Sequence, residues 1–151
     1  MVDNAKRLNH DLSFAGQLTS EQLQQAAEEG FKSVLNLRSP DESGVLSDEA
    51  TQAAAVGLDY ANIALSNLNP DPEQVAKALW EVENLPKPLL LHCGAGLRAG
   101  GIALIAHAIE AGLTLEQLTA KAQELGISLE QPHLKQFIDE RYSEPQSSLE
   151  L

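Results

Sequence analysis

His92-Cys93-Gly94-Ala95-Gly96-Leu97-Arg98-Ala99-Gly100 follows the apolar run Leu89-Leu90-Leu91 and precedes Ile102-Ala103-Leu104-Ile105-Ala106. That order predicts a strand, a tight loop and a helix, with the only cysteine of the chain at the strand's end and an arginine closing the loop. A loop at a helix N-terminus points backbone N–H groups inward, and the helix dipole adds partial positive charge. Such a place binds an oxyanion, and it favours a thiolate for the same reason. Arg98 adds a planar fork of donors suited to phosphate or sulfate oxygens. The pattern reads as a nucleophilic cysteine in an anion cradle. A lone cysteine is also commonly a small buried hydrophobe. The combination of apolar strand, His-Cys, loop glycines, arginine and helix weighs against that alternative.

One domain is the natural count for 151 residues. Residues 12–142 are expected to carry it, between a polar, loosely held segment 1–11 and a polar tail 143–151 that frays. Aromatic residues make up 4% of the chain, so the core is built from Leu, Ile, Val and Ala. Base stacking is not expected from so few rings. A formal net charge of −12 argues against nucleic acid or an anionic membrane as partner. A single cysteine allows no intrachain disulfide and no Cys-rich metal site. With no apolar stretch after Lys6-Arg7 and none of spanning length, the expected setting is the cytoplasm. No cofactor and no metal is expected. His10, His107 and His133 lack ligand spacing and read as structural or surface residues.

Along the chain, Leu12 to Phe14 reads as a short strand. Thr19 and Gln22 form a capping box for a helix that reaches about Glu29. Ser33 to Leu37 reads as a buried strand. Arg38 to Gly44 is a loop in which Arg38 pairs with Glu42 or lines the pocket. Ser47-Asp48-Glu49 is expected to cap a helix to Val56, and the acidic residues at 41–49 to form a solvated face. Tyr60 to Ile63 is a strand, and Ser66 to Pro70 a loop. Asp71-Pro72-Glu73-Gln74 opens a helix, with Pro at its first position and Gln three residues after Asp as in a capping box; its apolar stripe is Val75, Leu79 and Val82, with Trp80 beside it. Helices are expected from the Cys loop to Ala111, from Thr114 to Gly126, and from Pro132 to Tyr142. Strands alternating with helices give an α/β class with a mostly parallel sheet covered on both faces. Ligands of such sheets bind at the carboxyl ends of the strands, where Cys93 falls.

His92-Cys93, Gly96 and Arg98 resemble the Cys loop of the protein-tyrosine/dual-specificity phosphatase superfamily. More closely, they resemble a small bacterial phosphatase-like family with Cys-x-x-Gly-x-Arg, which also occurs beside β-lactamase-like hydrolases. The likeness extends to Ala15-Gly16-Gln17, to Gly30 through Arg38 with Glu42, to Gly57-Leu58-Asp59-Tyr60 and to Lys87-Pro88. It covers about residues 13 to 112. The resemblance implies a phosphotyrosine-phosphatase-like fold. It makes Cys93 the nucleophile toward phosphorus, Arg98 and the N–H groups of Gly94, Ala95, Gly96 and Leu97 the phosphoryl cradle, and His92 a residue that orients the loop. The substrate it implies is a phosphorylated small molecule or a phosphoprotein.

Three features depart from the larger superfamily. Four residues, rather than five, separate Cys93 from Arg98, the spacing of rhodanese-type sulfurtransferases, in which Cys93 would carry a persulfide. Ala99 stands where a Ser or Thr is usual. The general acid is expected in the stretch 66–71, where Asp71 is the only carboxylate and doubles as a helix cap. A non-catalytic module binding an oxyanion or phosphopeptide therefore stands as a third reading.

Overall fold

The structure, a computed structural model, describes residues 2, 4–42, 44–46, 48–66 and 71–142. Eleven elements follow one another: β1 (Lys6–Arg7), β2 (Leu12–Ala15), α1 (Ser20–Glu28), β3 (Ser33–Asn36), α2 (Glu49–Ala55), β4 (Asp59–Asn62), α3 (Pro72–Asn84), β5 (Leu89–His92), α4 (Leu97–Ala111), α5 (Leu115–Leu125) and α6 (Pro132–Tyr142). The five strands form one sheet in the order β1-β2-β5-β3-β4. Among the described residues, only the β1–β2 pair is antiparallel. The architecture is the α/β sheet covered on both faces that the alternation of patterns predicts.

β5 lies in the middle, with Leu91 opposite Phe14 of β2 and Leu35 of β3. Its residues Leu89 to His92 are all buried, which is why the segment reads as a continuous apolar run rather than an alternating one. Side chains still alternate between faces along a strand. Leu89, Leu91 and Cys93 join the core under α3, α4, α5 and α6, whereas Leu90 joins Val34, Leu23, Ala26 and Ala53 on the side of α1 and α2. His92 follows Leu90 and so points toward α2. This period of two separates His92 from the sulfur beside it in sequence.

Local signals set most helix ends. Thr19 and Gln22 form a reciprocal capping box at α1, and Thr114 and Gln117 do the same at α5. Gly112 and Gly126 close α4 and α5 in the left-handed region. The helix after the Cys loop is buried on several sides, from Arg98 through Ile105 and at Ala108. Trp80, by contrast, is 59% exposed and lines a groove of about 650 Å3 with Leu79, Ala106 and Ile109. That groove shares no lining residue with the Cys loop.

Three expectations are corrected. Lys6–Arg7 forms an edge strand on β2, and Val2 and Leu8 are buried, which the polar composition of this stretch does not predict. Asp48 stands at the N-terminus of α2 without a side-chain cap bond; its carboxylate accepts from Gln52 Nε2 at 2.7 Å. Gln74 does not reach back to Asp71 but donates to the Ala64 carbonyl at 3.1 Å. Ser47, the loop positions 67–70 and the tail 143–151 lie outside the described residues. Among the described residues, no helix is long and apolar enough to cross a membrane.

Candidate active site

The Cys loop leaves the carboxyl end of the central strand and enters α4 at Gly96, whose φ of 93° is left-handed and favours glycine. The turn brings two backbone donors onto the sulfur. Gly96 N–H donates to Cys93 Sγ at 3.2 Å and Ala99 N–H at 3.4 Å. Cys93 is buried at the floor of the loop, Gly94 and Gly96 are half-buried, and Ala95 and Leu97 are exposed at its rim.

The loop is held from β2 as well. Cys93 N–H donates to the Ala15 carbonyl at 3.2 Å, and Gln17 N–H to the Gly94 carbonyl at 3.0 Å. A Cβ on Gly16 would stand 2.9 Å from the Gly94 oxygen, so only glycine lets the two backbones come this close. This is a physical reason for Ala15-Gly16-Gln17 in the sequence.

Arg98 is 4% exposed, and one edge of its guanidinium is held by protein oxygens. Nη1 donates to Glu42 Oε2 and to the Leu65 carbonyl, each at 2.9 Å, and Nη2 donates to Glu42 Oε1 at 3.0 Å. The remaining edge, Nε–H and the second Nη2–H, bonds no oxygen among the described residues, and the guanidinium lies within hydrogen-bond reach of Cys93. Two parallel donors beside a sulfur match the oxygens of a phosphoryl or sulfonyl group. Glu42 hydrogen-bonding, with its charge and that of Cys93, holds the Arg98 pKa above its ordinary value against the opposing effect of burial.

Glu42 serves two arginines. Its Oε1 also accepts from Arg38 Nε at 3.0 Å, and its Oε2 from the Ser39 N–H at 2.9 Å. The Arg98 hydrogen bonds are the main reason its pKa falls to about 2, with Ser39 and Arg38 adding to them against burial. The pairing of Arg38 with Glu42 is as the i,i+4 spacing suggests. The acidic face is solvated only in part, at the exposed Asp41 and Asp48. Glu42 is built into the site, and Glu49 is 2% exposed and paired with His92.

Because the native pKa of Glu42 lies below its unfolded value, its stabilising contribution is complete above about pH 4.5 and is lost as pH falls toward about 2. In Glu42→Gln, an amide NH2 would face a guanidinium, donor against donor. Tungstate affinity is expected to drop about tenfold. Calorimetric titration checks this, and wild-type affinity would dismiss Glu42 as the support of Arg98.

Other predicted site residues are placed differently. His92 is fully buried with its Nε2 on Glu49, on the side of α2 rather than beside Cys93 Sγ. Asp71 caps α3, accepting from Glu73 N–H at 2.9 Å, and makes no hydrogen bond to the Cys loop. His107 bonds the Asn9 amide, and burial, with Lys121 nearby, lowers its pKa. Among the described residues no group of three or more His, Cys, Asp or Glu is arranged to hold a metal ion.

The profile of the phosphatase-like domain of β-lactamase hydrolase-like proteins matches residues 4–110. A β-lactamase hydrolase-like protein of Agrobacterium fabrum is 25% identical over 153 residues, which take in 91% of this chain and 35% of the relative. The chain thus spans about a third of that protein's length. Among solved structures, Tk-PTP in its active form superposes with a TM-score of 0.75 at 23% identity, over 93% of this chain and 97% of its own. The catalytic core of the PP-IP phosphatase SIW14 from S. cerevisiae gives 0.72 at 20% identity, over 97% and 90%. A DUF442 protein of Shewanella putrefaciens gives 0.76 at 20% identity, over 92% and 91%. These likenesses establish a phosphotyrosine-phosphatase-like fold. With the profile spanning well over half of the chain, this protein belongs to the phosphatase-like domain family of the β-lactamase hydrolase-like proteins.

Proposed function

We propose that this domain hydrolyses a phosphoester, on a small molecule or a phosphoprotein, through a thiophosphate on Cys93. The observation that carries the reading is the sulfur itself, which receives two backbone N–H groups at the start of α4 with the open edge of Arg98 beside it. The sulfur attacks phosphorus; an S–P bond forms as the ester P–O bond breaks, and the leaving oxygen takes the electron pair and then a proton. Water attacks phosphorus in the second step and the thiolate departs. Arg98 and the loop N–H groups stabilise charge on the equatorial oxygens in both steps. With Asp71 engaged as a cap, an aryl ester is the first substrate to try, since its oxygen leaves with little protonation.

Acid quench of the enzyme during turnover of an aryl phosphate is expected to trap a phosphoryl adduct on Cys93, read by mass spectrometry. Cys93→Ser is expected to release no phenol. Phenol release by that variant would end the covalent mechanism.

The four-residue spacing favours a second reading, sulfur transfer through a Cys93 persulfide. Thiocyanate formed from thiosulfate and cyanide would select it. Ala99, which offers no hydroxyl to the second step, favours a module that binds an oxyanion without turning it over. Tight tungstate binding with no phenol release by the wild type would select that one.

A further inference from the structure

One chain of side chains grips the Cys loop at both ends. It begins at His92, whose Nε2 meets Glu49 Oε2 of α2. Glu49 Oε1 accepts from Gln17 Nε2 at 3.1 Å, and Gln17 Oε1 accepts from Arg38 Nη1 at 2.8 Å. Arg38 Nε donates to Glu42, and Glu42 receives the fork of Arg98. Tyr60 closes the side of Glu49: its hydroxyl accepts from Asn36 Nδ2 at 3.0 Å and hydrogen-bonds the Glu49 carboxyl. Burial, reinforced by the charge of Glu49, pushes the Tyr60 pKa up to about 12, so the phenol stays a donor.

Glu49 is the costly member. A carboxyl group this buried is tolerated only where its oxygens find hydrogen-bond partners. Here Gln17, Tyr60 and His92 fill them, and His92 is the residue bonded to Cys93. Strand alternation turns the imidazole toward α2 and the sulfur toward α4. Anchoring the ring therefore fixes the peptide on which Cys93 turns, without His92 or Glu49 touching the sulfur.

We infer that Glu49 is a positioning residue of the Cys loop, acting through His92 to hold Cys93 where Gly96 and Ala99 can donate to its sulfur. The inference rests on the reading of Cys93 as the reactive atom.

Because Cys93 is the sole cysteine, alkylation by iodoacetate reports its pose without turnover. In folded Glu49→Gln, alkylation is expected to slow about tenfold. With an aryl phosphate, kcat should fall at least about tenfold while KM stays within about threefold, because the misplaced sulfur, not the phosphate cradle, is affected. In a His92→Gln background the same substitution is expected to add less than about twofold. Wild-type alkylation in folded Glu49→Gln, or losses that simply multiply in the double variant, would overturn the inference. A wild type with no turnover, but with alkylation that depends on Glu49, would end the hydrolytic reading and leave this one standing. Should Glu49→Gln not fold, Tyr60→Phe removes one hydrogen bond from the carboxylate. It is expected to slow alkylation about two- to threefold, and an unchanged rate would count against the role of Glu49.

Discussion

Arg98→Lys is expected to lower kcat/KM for an aryl phosphate by about a thousandfold, some 4 kcal/mol of transition-state stabilisation, in a protein that still folds. The reason is geometric. Arg98 divides its donors between two tasks, one edge going to Glu42 and the Leu65 carbonyl and the other staying open beside Cys93. Lysine keeps a charge, so Glu42 retains a cation and the fold a counterion. Its single nitrogen cannot bond the carboxylate and also present two parallel donors to an oxyanion. Glu42 remains ionised to about pH 2 and would capture the ammonium across the working range. Tungstate affinity should fall much less than kcat/KM, because the charge survives and what is lost is alignment with the equatorial oxygens of the transferring group. Steady-state kinetics with calorimetry separates the two. A loss below tenfold in kcat/KM would mean that Arg98 does not touch the transferring group.

What could be read from the sequence follows the range of the interaction. The loop, its glycine and its arginine lie within seven residues and are fixed by contacts among neighbours, so strand, turn and helix were legible together. The capping boxes at Thr19 and Thr114 were legible for the same reason. Glu42 and Glu49 were not legible as site residues. Their partners Arg98 and His92 lie 56 and 43 residues away, and an acidic run in a loop looks the same whether solvated or built in. Asp71 shows the converse limit: as the only carboxylate before a proline-started helix it is a candidate acid, yet it fits a cap better, and the carboxylate takes the cap bond. β1 was missed because two basic residues carry no strand pattern of their own; the edge of β2 recruits them.

His133 shows how a residue without a motif becomes consequential through packing. It sits on α6, buried, with its Nε2 lacking any hydrogen-bond partner and 2.6 Å from where a Cβ on Gly101 would stand. Only glycine at that turn of α4 admits the ring. Burial, followed by repulsion from Arg98, lowers the His133 pKa to about 4. The folded state therefore refuses a proton that the unfolded chain accepts near pH 6.5. Above that pH both states are neutral at this position and nothing is lost. As pH falls from about 6.5 to about 4, the unfolded state alone gains the proton, and stability should decline by roughly 3 kcal/mol before levelling. Glu42 and other carboxylates titrate at the lower end of this window, so the wild type alone would not isolate the imidazole. Urea unfolding at pH 7 and pH 4.5 should therefore be compared between the wild type and His133→Gln. The carboxylate contributions cancel between the two proteins, and the variant should lose about 2 to 3 kcal/mol less on acidification. Equal losses in both would show that the imidazole is already solvated in the folded state, and that the contact between α6 and Gly101 is looser than its geometry implies.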